Sequence, residues 1–246
     1  MRYRFICLLL FLPGFVQAET IRLAVASNFS EPIKVIAAQY EKDTGHRLIL
    51  VFGSTGKHYA QIVNGAPFEL FLAADKRRPQ LLEQQGKTIA GNRFTYARGR
   101  LVLWSSNADY VDLAGDVLTT GNYQRLAIAN PKLAPYGKAA QEVLQRKGLW
   151  KVLQQRLVRG ESIGQAYQFV RSGNAELGFV AYSQIKQPGD SNSGSYWVVP
   201  QALYQPIEQQ AVLLKENPVA RDFISYLQTQ EVKKIITQYG YDIDAE

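Results

Sequence analysis

The chain has 246 residues, and its 28 Lys and Arg against 21 Asp and Glu give a formal net charge of +7 at pH 7. A chain of this length is enough for one large domain or two modest ones. The basic residues are scattered and form no run, which argues against a nucleic-acid-binding protein.

The first 18 residues have the pattern of a signal peptide. Arg2 and Arg4 form a basic start, residues 5–16 are largely apolar, and small residues end the segment at Ala18. The apolar stretch is shorter than the ~20 residues that a membrane-spanning helix needs. We therefore predict a signal peptide over 1–18, with export and cleavage near Ala18, rather than a membrane anchor.

The only cysteine of the chain, Cys7, lies within this segment, too early in the apolar stretch for a lipid-attachment cysteine. The exported product is therefore expected to be soluble, and no disulfide and no cysteine metal site are expected in it. Although export usually permits disulfides, its stability must come from core burial alone. Loss of Arg2 and Arg4 lowers the formal charge from +7 to +5.

The first half of the mature chain alternates predicted strands with predicted helices. An apolar run at 21–26 predicts a buried strand, and apolar residues at helical spacing over 31–43 predict a helix. Further strands are predicted at 48–52 and 70–74, and further helices at 59–64 and 79–85. Such alternation implies a parallel sheet with helices on both faces.

The pattern restarts after Arg98-Gly99-Arg100. Strands are predicted at 101–105, 125–129, 177–181, 196–199 and 211–214, helices at 138–147, 162–171, 218–228 and 230–239, and a polar turn at 190–194. Two such layers, joined near 97–101 and again near 200–207, predict two lobes, one of residues 19–98 plus 203–246 and the other of residues 99–202. Open α/β sheets bind ligands at the carboxyl ends of their strands, so we expect a ligand in the cleft between the lobes.

Four loops are the strongest candidates for the site, and each opens a predicted helix with Gly or small hydroxyl residues. They are residues 26–28 (Ala-Ser-Asn), 52–57 (Phe-Gly-Ser-Thr-Gly-Lys), 130–138 (Asn-Pro through Gly-Lys) and 160–164 (Gly-Glu-Ser-Ile-Gly). The first turn of a helix has unpaired N–H groups and a partial positive charge, which suits an anion. Each loop alone also fits an ordinary helix cap or a glycine turn. Together in one cleft, they would bind a small dianion without any Arg or Lys.

Other chemistries have weaker signals. The 52–57 loop lacks the spacing of a phosphate-binding P-loop and of a nucleophile elbow. His46 and His58 are the only histidines, and neither has metal-ligand spacing, so we expect no metal and no cofactor. His58, Asp75 and a nearby Ser could be drawn as a catalytic triad, but no motif supports one. Lys57 and Lys138 lie just inside two of the candidate helices, and we expect their ammonium groups to stay in water.

Taken in order, several segments resemble the periplasmic molybdate-binding proteins of ATP-driven oxyanion importers. The resemblance covers about residues 19–243 and depends on the segments 24–28, 52–57, 65–75, 127–137 and 175–181. In that family, hydroxyls and backbone amides hold the anion in a closed cleft without a counter-charge.

The resemblance implies the ligand set of this chain residue by residue. Ser27 and Thr55 match hydroxyl ligands, Asn28 and Ser54 are their neighbours, and Tyr136 and Ile163 match positions that give a backbone N–H. Some members also place a Tyr hydroxyl in the cleft, directly after the strand that matches 177–180. Ala181 has that position here, and Tyr182 is one residue later, which turns its side chain to the other face. We therefore expect that Tyr182 is not a ligand and that Asn28 contributes more.

The resemblance implies an α/β type II periplasmic binding protein with two lobes, two crossovers and a central cleft. It implies a periplasmic receptor that binds molybdate, with tungstate as a second ligand, and delivers it to the membrane permease of an ABC importer. We expect a monomer that performs no chemistry and binds no nucleic acid.

Two other functions stay open. One is a receptor for another oxyanion, sulfate or phosphate. Phosphate near neutral pH keeps a proton and needs a buried acceptor, whereas the first three loops contain no Asp or Glu and the fourth contains Glu161. The other is a secreted serine hydrolase built on Ser54 or Ser27.

Overall fold

The computed structural model describes residues 18–189 and 194–243. The predicted signal peptide, apart from Ala18, and most of the predicted turn at 190–194 lie outside the described residues. Within them the chain forms two five-stranded sheets with helices packed against them. No helix in this part of the chain is long and apolar enough to cross a membrane.

The first sheet has the strand order β2-β1-β3-β10-β4. Its strands are β1 (Thr20–Ala26), β2 (Arg47–Gly53), β3 (Leu70–Ala73), β4 (Phe94–Gly99) and β10 (Ile207–Leu213). The helices that accompany these strands in the chain are α1 (Ser30–Thr44), α2 (Thr55–Val63), α3 (Arg77–Gln84), α8 (Pro218–Tyr226) and α9 (Gln230–Gln238). A short 3-10 helix, Ser27–Phe29, joins β1 to α1. All four residues of the central strand β3 are buried, as expected for a strand covered on both faces.

The second sheet has the strand order β7-β6-β8-β5-β9. Its strands are β5 (Leu101–Ser105), β6 (Leu126–Ala129), β7 (Leu157–Gly160), β8 (Leu177–Ala181) and β9 (Ser195–Val198). The helices between them are α4 (Val117–Thr120), α5 (Pro135–Arg146), α6 (Ile163–Arg171) and α7 (Tyr182–Ile185). Apolar side chains of β5, β6 and β8 form the core of this half with α5 and α6.

The chain passes from the first sheet to the second between β4 and β5 and returns between β9 and β10. Both crossovers lie where the sequence predicts them, and the arrangement is the two-lobe α/β fold that was expected. The exact residues at which one lobe ends and the other begins stay a prediction.

The alternating strands of the first half pair in parallel, as predicted, but both sheets also contain antiparallel pairs. β1 runs parallel to β2 and β3, but β10 is antiparallel to both β3 and β4. In the second sheet β6 is parallel to β7 and β8, whereas β5 is antiparallel to β8 and β9. β5 and β10 are the strands that directly follow the crossovers, and each runs against the direction of its neighbours.

Two helices begin three or more residues earlier than predicted, and both begin at candidate loops. The helix predicted at 59–64 is α2, which begins at Thr55, because Ser54 caps it by accepting a hydrogen bond from Lys57 N. The helix predicted at 138–147 is α5, which begins at Pro135, where proline fits the first turn. Both loops therefore present first-turn amides closer to the sheet edges than the sequence suggested.

Candidate functional site

One small cavity between the two halves brings all six predicted site residues together. We call it the cleft cavity; it is lined by Ser27, Asn28, Ser54, Thr55, Tyr136 and Ile163, together with Ala26, Gly53, Ala74, Ala134 and Pro135. It measures about 10 Å³, roughly the space for one water-sized sphere.

The hydroxyl groups of the cleft cavity share one arrangement, in which each oxygen accepts a hydrogen bond from a backbone amide. Ser27 Oγ accepts from Gly164 N at 3.1 Å, Ser54 Oγ from Lys57 N at 3.3 Å, and Thr55 Oγ1 from Ala74 N at 3.0 Å. A hydroxyl has one proton to donate besides its acceptor lone pairs. Each of the three protons is therefore available to a bound acceptor.

Three helix N-termini also face the cleft cavity, since α2, α5 and α6 begin at Thr55, Pro135 and Ile163. The residue before α5, Ala134, has no side chain that could cap the helix. Backbone amides in a first turn have no acceptor within their own helix. The amides of Tyr136 and Ile163 are thus donors at the wall of the cleft cavity, where the helix dipoles favour negative charge.

The charged side chains near the cleft cavity do not line it. None of the described residues that line the cleft cavity has a charged side chain. Lys57, in the first turn of α2, reaches across the cleft to Glu161, with its Nζ 3.1 Å from the carboxylate, and both side chains are about half exposed. Lys138 is 66% exposed and its Nζ lies 3.9 Å from Glu142. Neither lysine nor Glu161 is part of the lining.

A second cavity next to the first is larger and charged. We call it the basic groove; it measures about 250 Å³ and is lined by the cations Lys76, Arg77, Arg78, Lys132 and Lys138 and the acids Asp75, Glu142 and Glu208, among others. Several of these charges are paired, Lys76 with Glu208 and Arg78 with Asp75. The groove is the other place near the cleft where an anion could collect.

Two contacts join the halves beside the cleft cavity. Gly56 N, in the first turn of α2, donates to Leu133 O at 2.8 Å. Arg78 Nη2 donates to Lys132 O at 3.0 Å. Gly56 allows this approach because a Cβ there would lie 2.9 Å from Leu133 O. The loop before α5 is thereby held against α2 and α3.

A buried polar network under the cleft cavity includes residues that the sequence analysis missed. Asn28 Nδ2 donates to Gln209 Oε1 at 2.7 Å and to Tyr241 Oη at 2.9 Å. The main-chain carbonyl of Asn28 accepts from Tyr241 Oη at 2.8 Å and from Ser183 Oγ at 2.9 Å. Gln209 Nε2 donates to Tyr136 Oη at 3.1 Å. Burial raises the phenol pKa of Tyr136 and Tyr241 above the ordinary value, so both stay neutral hydrogen-bonding groups.

The one sequence signal for this network was a pair of glutamines, Gln209 and Gln210, in strand β10, whose other residues apart from Glu208 are apolar. Both are buried. Buried polar side chains generally have hydrogen-bond partners, so such a pair indicates a polar network.

His58 does not form a catalytic triad with a serine. Its Nε2 lies 3.1 Å from Val25 O, and its Nδ1 lies 3.0 Å from Gln61 Oε1. Burial lowers the pKa of the imidazole below its ordinary value of about 6.5. The ring thus supports the backbone at the end of β1 and has no contact with Ser27 or Ser54 that would activate a nucleophile.

Tyr182 is not among the residues that line the cleft cavity, and its ring packs against Tyr196 with 5.7 Å between the ring centres. That it is not a ligand stays a prediction. Ala181 is buried and is also outside the lining. Within residues 18–189 and 194–243, no group of three or more His, Cys, Asp or Glu side chains is placed to hold a metal ion.

Comparison with known proteins places this geometry in a family. Residues 21–242 match the family described as bacterial extracellular solute-binding protein. The chain is 53% identical over 230 residues to the molybdate-binding protein ModA of Azotobacter vinelandii, covering 92% of this chain and 91% of the relative. It is 49% identical over 227 residues to the molybdate-binding protein ModA of Rhodobacter capsulatus, covering 91% and 88%.

A solved structure agrees with the sequence relatives. The periplasmic molybdate-binding protein of Azotobacter vinelandii superimposes with a TM-score of 0.89 and 42% identity, and the match covers 92% of this chain and all of that chain. The similarity therefore extends over both sheets and over the cleft between them.

Proposed function

The chain belongs to the bacterial extracellular solute-binding protein family, and from its similarity to two molybdate-binding relatives we propose that it captures molybdate between its lobes and delivers it to the membrane permease of an ABC importer. It binds and releases its ligand unchanged and is not an enzyme. We further propose that tungstate, an oxyanion of the same shape and charge, is a second ligand, and that the protein works in the periplasm as a monomer after cleavage near Ala18.

One observation carries the proposal: the six residues expected at the site line one cavity that offers mainly donors and, among the described residues, no charged side chain. A fully ionised tetrahedral oxyanion has only acceptors. The hydroxyl protons of Ser27, Ser54 and Thr55 and the first-turn amides of Tyr136 and Ile163 match such a ligand. Hydrogen bonds to a charged group in a closed cleft are stronger than those between neutral groups.

A protonated oxyanion fits this cavity less well. Hydrogen phosphate must donate its proton to an acceptor, and the nearby carboxylates are paired elsewhere, Asp75 with Arg78 and Glu161 with Lys57. Asn28 Oδ1 is a buried acceptor without a partner in this structure. Phosphate therefore belongs in any test of specificity.

Isothermal titration calorimetry of the mature protein with molybdate, tungstate, sulfate and phosphate tests the proposal. We expect tight binding of molybdate and tungstate and weaker binding of sulfate, which is smaller and leaves some donors unfilled. Molybdate at ~100 times its dissociation constant should stabilise the fold by about 2.7 kcal/mol. Equal affinity for sulfate and molybdate, or tighter binding of phosphate, would contradict the proposal.

A further inference from the structure

Gln209 connects two residues of the cleft cavity without lining it. It lies on β10 and is fully buried. Its Oε1 accepts from Asn28 Nδ2 at 2.7 Å and from Tyr96 Oη at 3.0 Å, and its Nε2 donates to Tyr136 Oη at 3.1 Å. Asn28 follows β1 of the first sheet, and Tyr136 lies in the first turn of α5, which packs against the second sheet. The Gln209 amide therefore links the two sides of the cleft cavity.

Asn28 has an unpaired atom in this arrangement. Its residue is 2% exposed, both of its side-chain N–H groups are directed at Gln209 and Tyr241, and its Oδ1 has no hydrogen-bond partner. A buried acceptor without a partner costs free energy, because it has lost its bond to water. A carbonyl oxygen at the wall of the cleft cavity would also repel an oxyanion.

Turning both amides over gives Asn28 Oδ1 partners within the same heavy-atom contacts, but it gives up the bond from Tyr241 Oη to the Asn28 main-chain carbonyl, because a phenol has one proton to donate. Asn28 Oδ1 then accepts from Gln209 Nε2 and Tyr241 Oη, and Gln209 Oε1 accepts from Tyr136 Oη. Tyr96 Oη accepts from Gln209 and donates to Ala73 O, which is 3.3 Å away. The main-chain carbonyl of Asn28 keeps its bond from Ser183 Oγ. Asn28 Nδ2 is then the atom turned to the cleft cavity, as a donor.

We propose that Gln209 is a positioning residue that sets the orientation of the Asn28 amide, so that Asn28 donates through Nδ2 to the bound oxyanion. The inference rests on the proposed function, because it needs an oxyanion in the cleft cavity. The two amides turn only as a pair, since turning Asn28 alone would set its Oδ1 against Gln209 Oε1, and two acceptors cannot pair. A ligand with acceptors only selects the orientation that offers it a donor.

The first test compares Gln209→Met with Gln210→Met, a matched control on the same strand. Gln210 is buried as well, but it bonds Thr95 and Arg93, away from the cleft cavity. Methionine has about the volume of glutamine and cannot hold an amide in place. We expect molybdate affinity to fall about tenfold or more in Gln209→Met and to stay within about twofold in Gln210→Met, in calorimetric titrations.

A double-mutant cycle separates positioning from general damage to the fold. Asn28→Ala removes the group that Gln209 is proposed to orient, so adding Gln209→Met to Asn28→Ala should cost little further affinity. Independent effects would instead multiply. A double variant whose loss equals the product of the two single losses would overturn the inference.

Side-chain amide NMR of the unmodified protein gives a readout that does not depend on a variant folding. We expect molybdate to shift the NH2 resonances of Asn28 and Gln209 together, while those of Gln210 move little. Contacts of the Gln209 amide protons should change from the Tyr136 ring to the Tyr96 ring. Gln209 resonances that stay fixed while Asn28 shifts would overturn the paired turning.

The outcomes also separate this inference from the proposed function. If the unmodified protein does not bind molybdate, the proposed function fails and this inference falls with it. If it binds molybdate tightly and Gln209→Met binds as tightly, the receptor function stands and the role of Gln209 is wrong.

Discussion

At the scale of single residues, the hydroxyls of Ser27 and Thr55 are expected to donate hydrogen bonds to the ligand. Each oxygen already accepts a backbone N–H, so each proton is free for the ligand. Ser27→Ala and Thr55→Val should each cost about 1.5–3 kcal/mol of molybdate binding, which corresponds to roughly 10- to 150-fold in the dissociation constant. Calorimetric titration measures the loss directly.

The control for these variants is Tyr182→Phe, which removes a hydroxyl whose residue lies outside the cleft cavity. It should leave the affinity unchanged. Thr55→Val also deprives Ala74 N of its acceptor, so its thermal stability should be measured alongside its affinity. Parent-like affinity in both cavity variants would mean that these hydroxyls only support the loops.

His58 gives a prediction about stability and pH. Burial lowers its pKa in the folded protein below 6.5, so below about pH 6.5 the unfolded chain takes up a proton that the folded protein does not. The contribution of His58 to stability is therefore fully present above that pH and is lost as the pH falls through the folded-state pKa. Thermal unfolding between about pH 5 and 8 should show a steeper acid-side loss in the parent than in His58→Gln. Parallel curves would contradict this.

Local motifs account for the part of the site that the sequence predicted. Ser27, Ser54, Thr55, Tyr136 and Ile163 each lie in a loop that opens a helix, and the geometry of a helix start is encoded within a few residues. The buried partners of Asn28 and Tyr136 are Ser183, Gln209 and Tyr241, which come from distant elements. Only the glutamine pair in β10 gave a local signal for them. These contacts depend on how distant parts of the chain pack together, which cannot be predicted from a few neighbouring residues.

At the scale of elements, sequence periodicity predicted most strands and helices, and the failures have physical causes. β4 has no predicted counterpart, because Arg98 and Gly99 at its end do not have the side chains typical of a buried strand. Its pairing with β10 supplies the strand bonds that the local sequence does not indicate. The antiparallel direction of β5 and β10 likewise has no signal in the residues of those strands.

The contact between α2 and the loop before α5 predicts the effect of one added methyl group. In Gly56→Ala the new Cβ would meet Leu133 O at 2.9 Å and Leu133 Cα at 3.0 Å, both backbone atoms of the facing loop. We expect the lobes to close less completely and molybdate affinity to fall at least tenfold, measured by titration calorimetry.

The free protein provides the internal control for this variant. Alanine is a better helix former than glycine by about 1 kcal/mol, so the unliganded thermal stability of Gly56→Ala should not fall. A variant that binds molybdate as the parent does would show that the contact at Leu133 is not needed for closure.

At the scale of the whole molecule, binding of the dianion should depend little on long-range attraction between charges. Screening acts mainly on exposed charges, with a Debye length of about 10 Å at 0.1 M salt, whereas hydroxyls and helix ends act at short range within the closed cleft. Molybdate affinity should therefore change little between low salt and about 0.5 M sodium chloride, although the association rate of this basic protein should fall. Titrations and stopped-flow kinetics at both salt concentrations test this.

Lys57→Gln and Lys138→Gln complete that test, because these lysines lie near the start of helices at the cleft but outside the cleft cavity. Both variants should keep the parent affinity. A large loss in either one, together with a steep salt dependence in the parent, would show that ion pairing holds the ligand.

The central claim is that a molybdate dianion occupies the cleft cavity and is held there without a cationic side chain. A crystal structure of the complex, with anomalous diffraction recorded at the molybdenum edge, tests it most directly. The account predicts one strong anomalous peak within hydrogen-bonding reach of Ser27, Thr55 and the amides of Tyr136 and Ile163. A peak in the basic groove, or a lysine or arginine nitrogen bonded to the oxyanion, would contradict it.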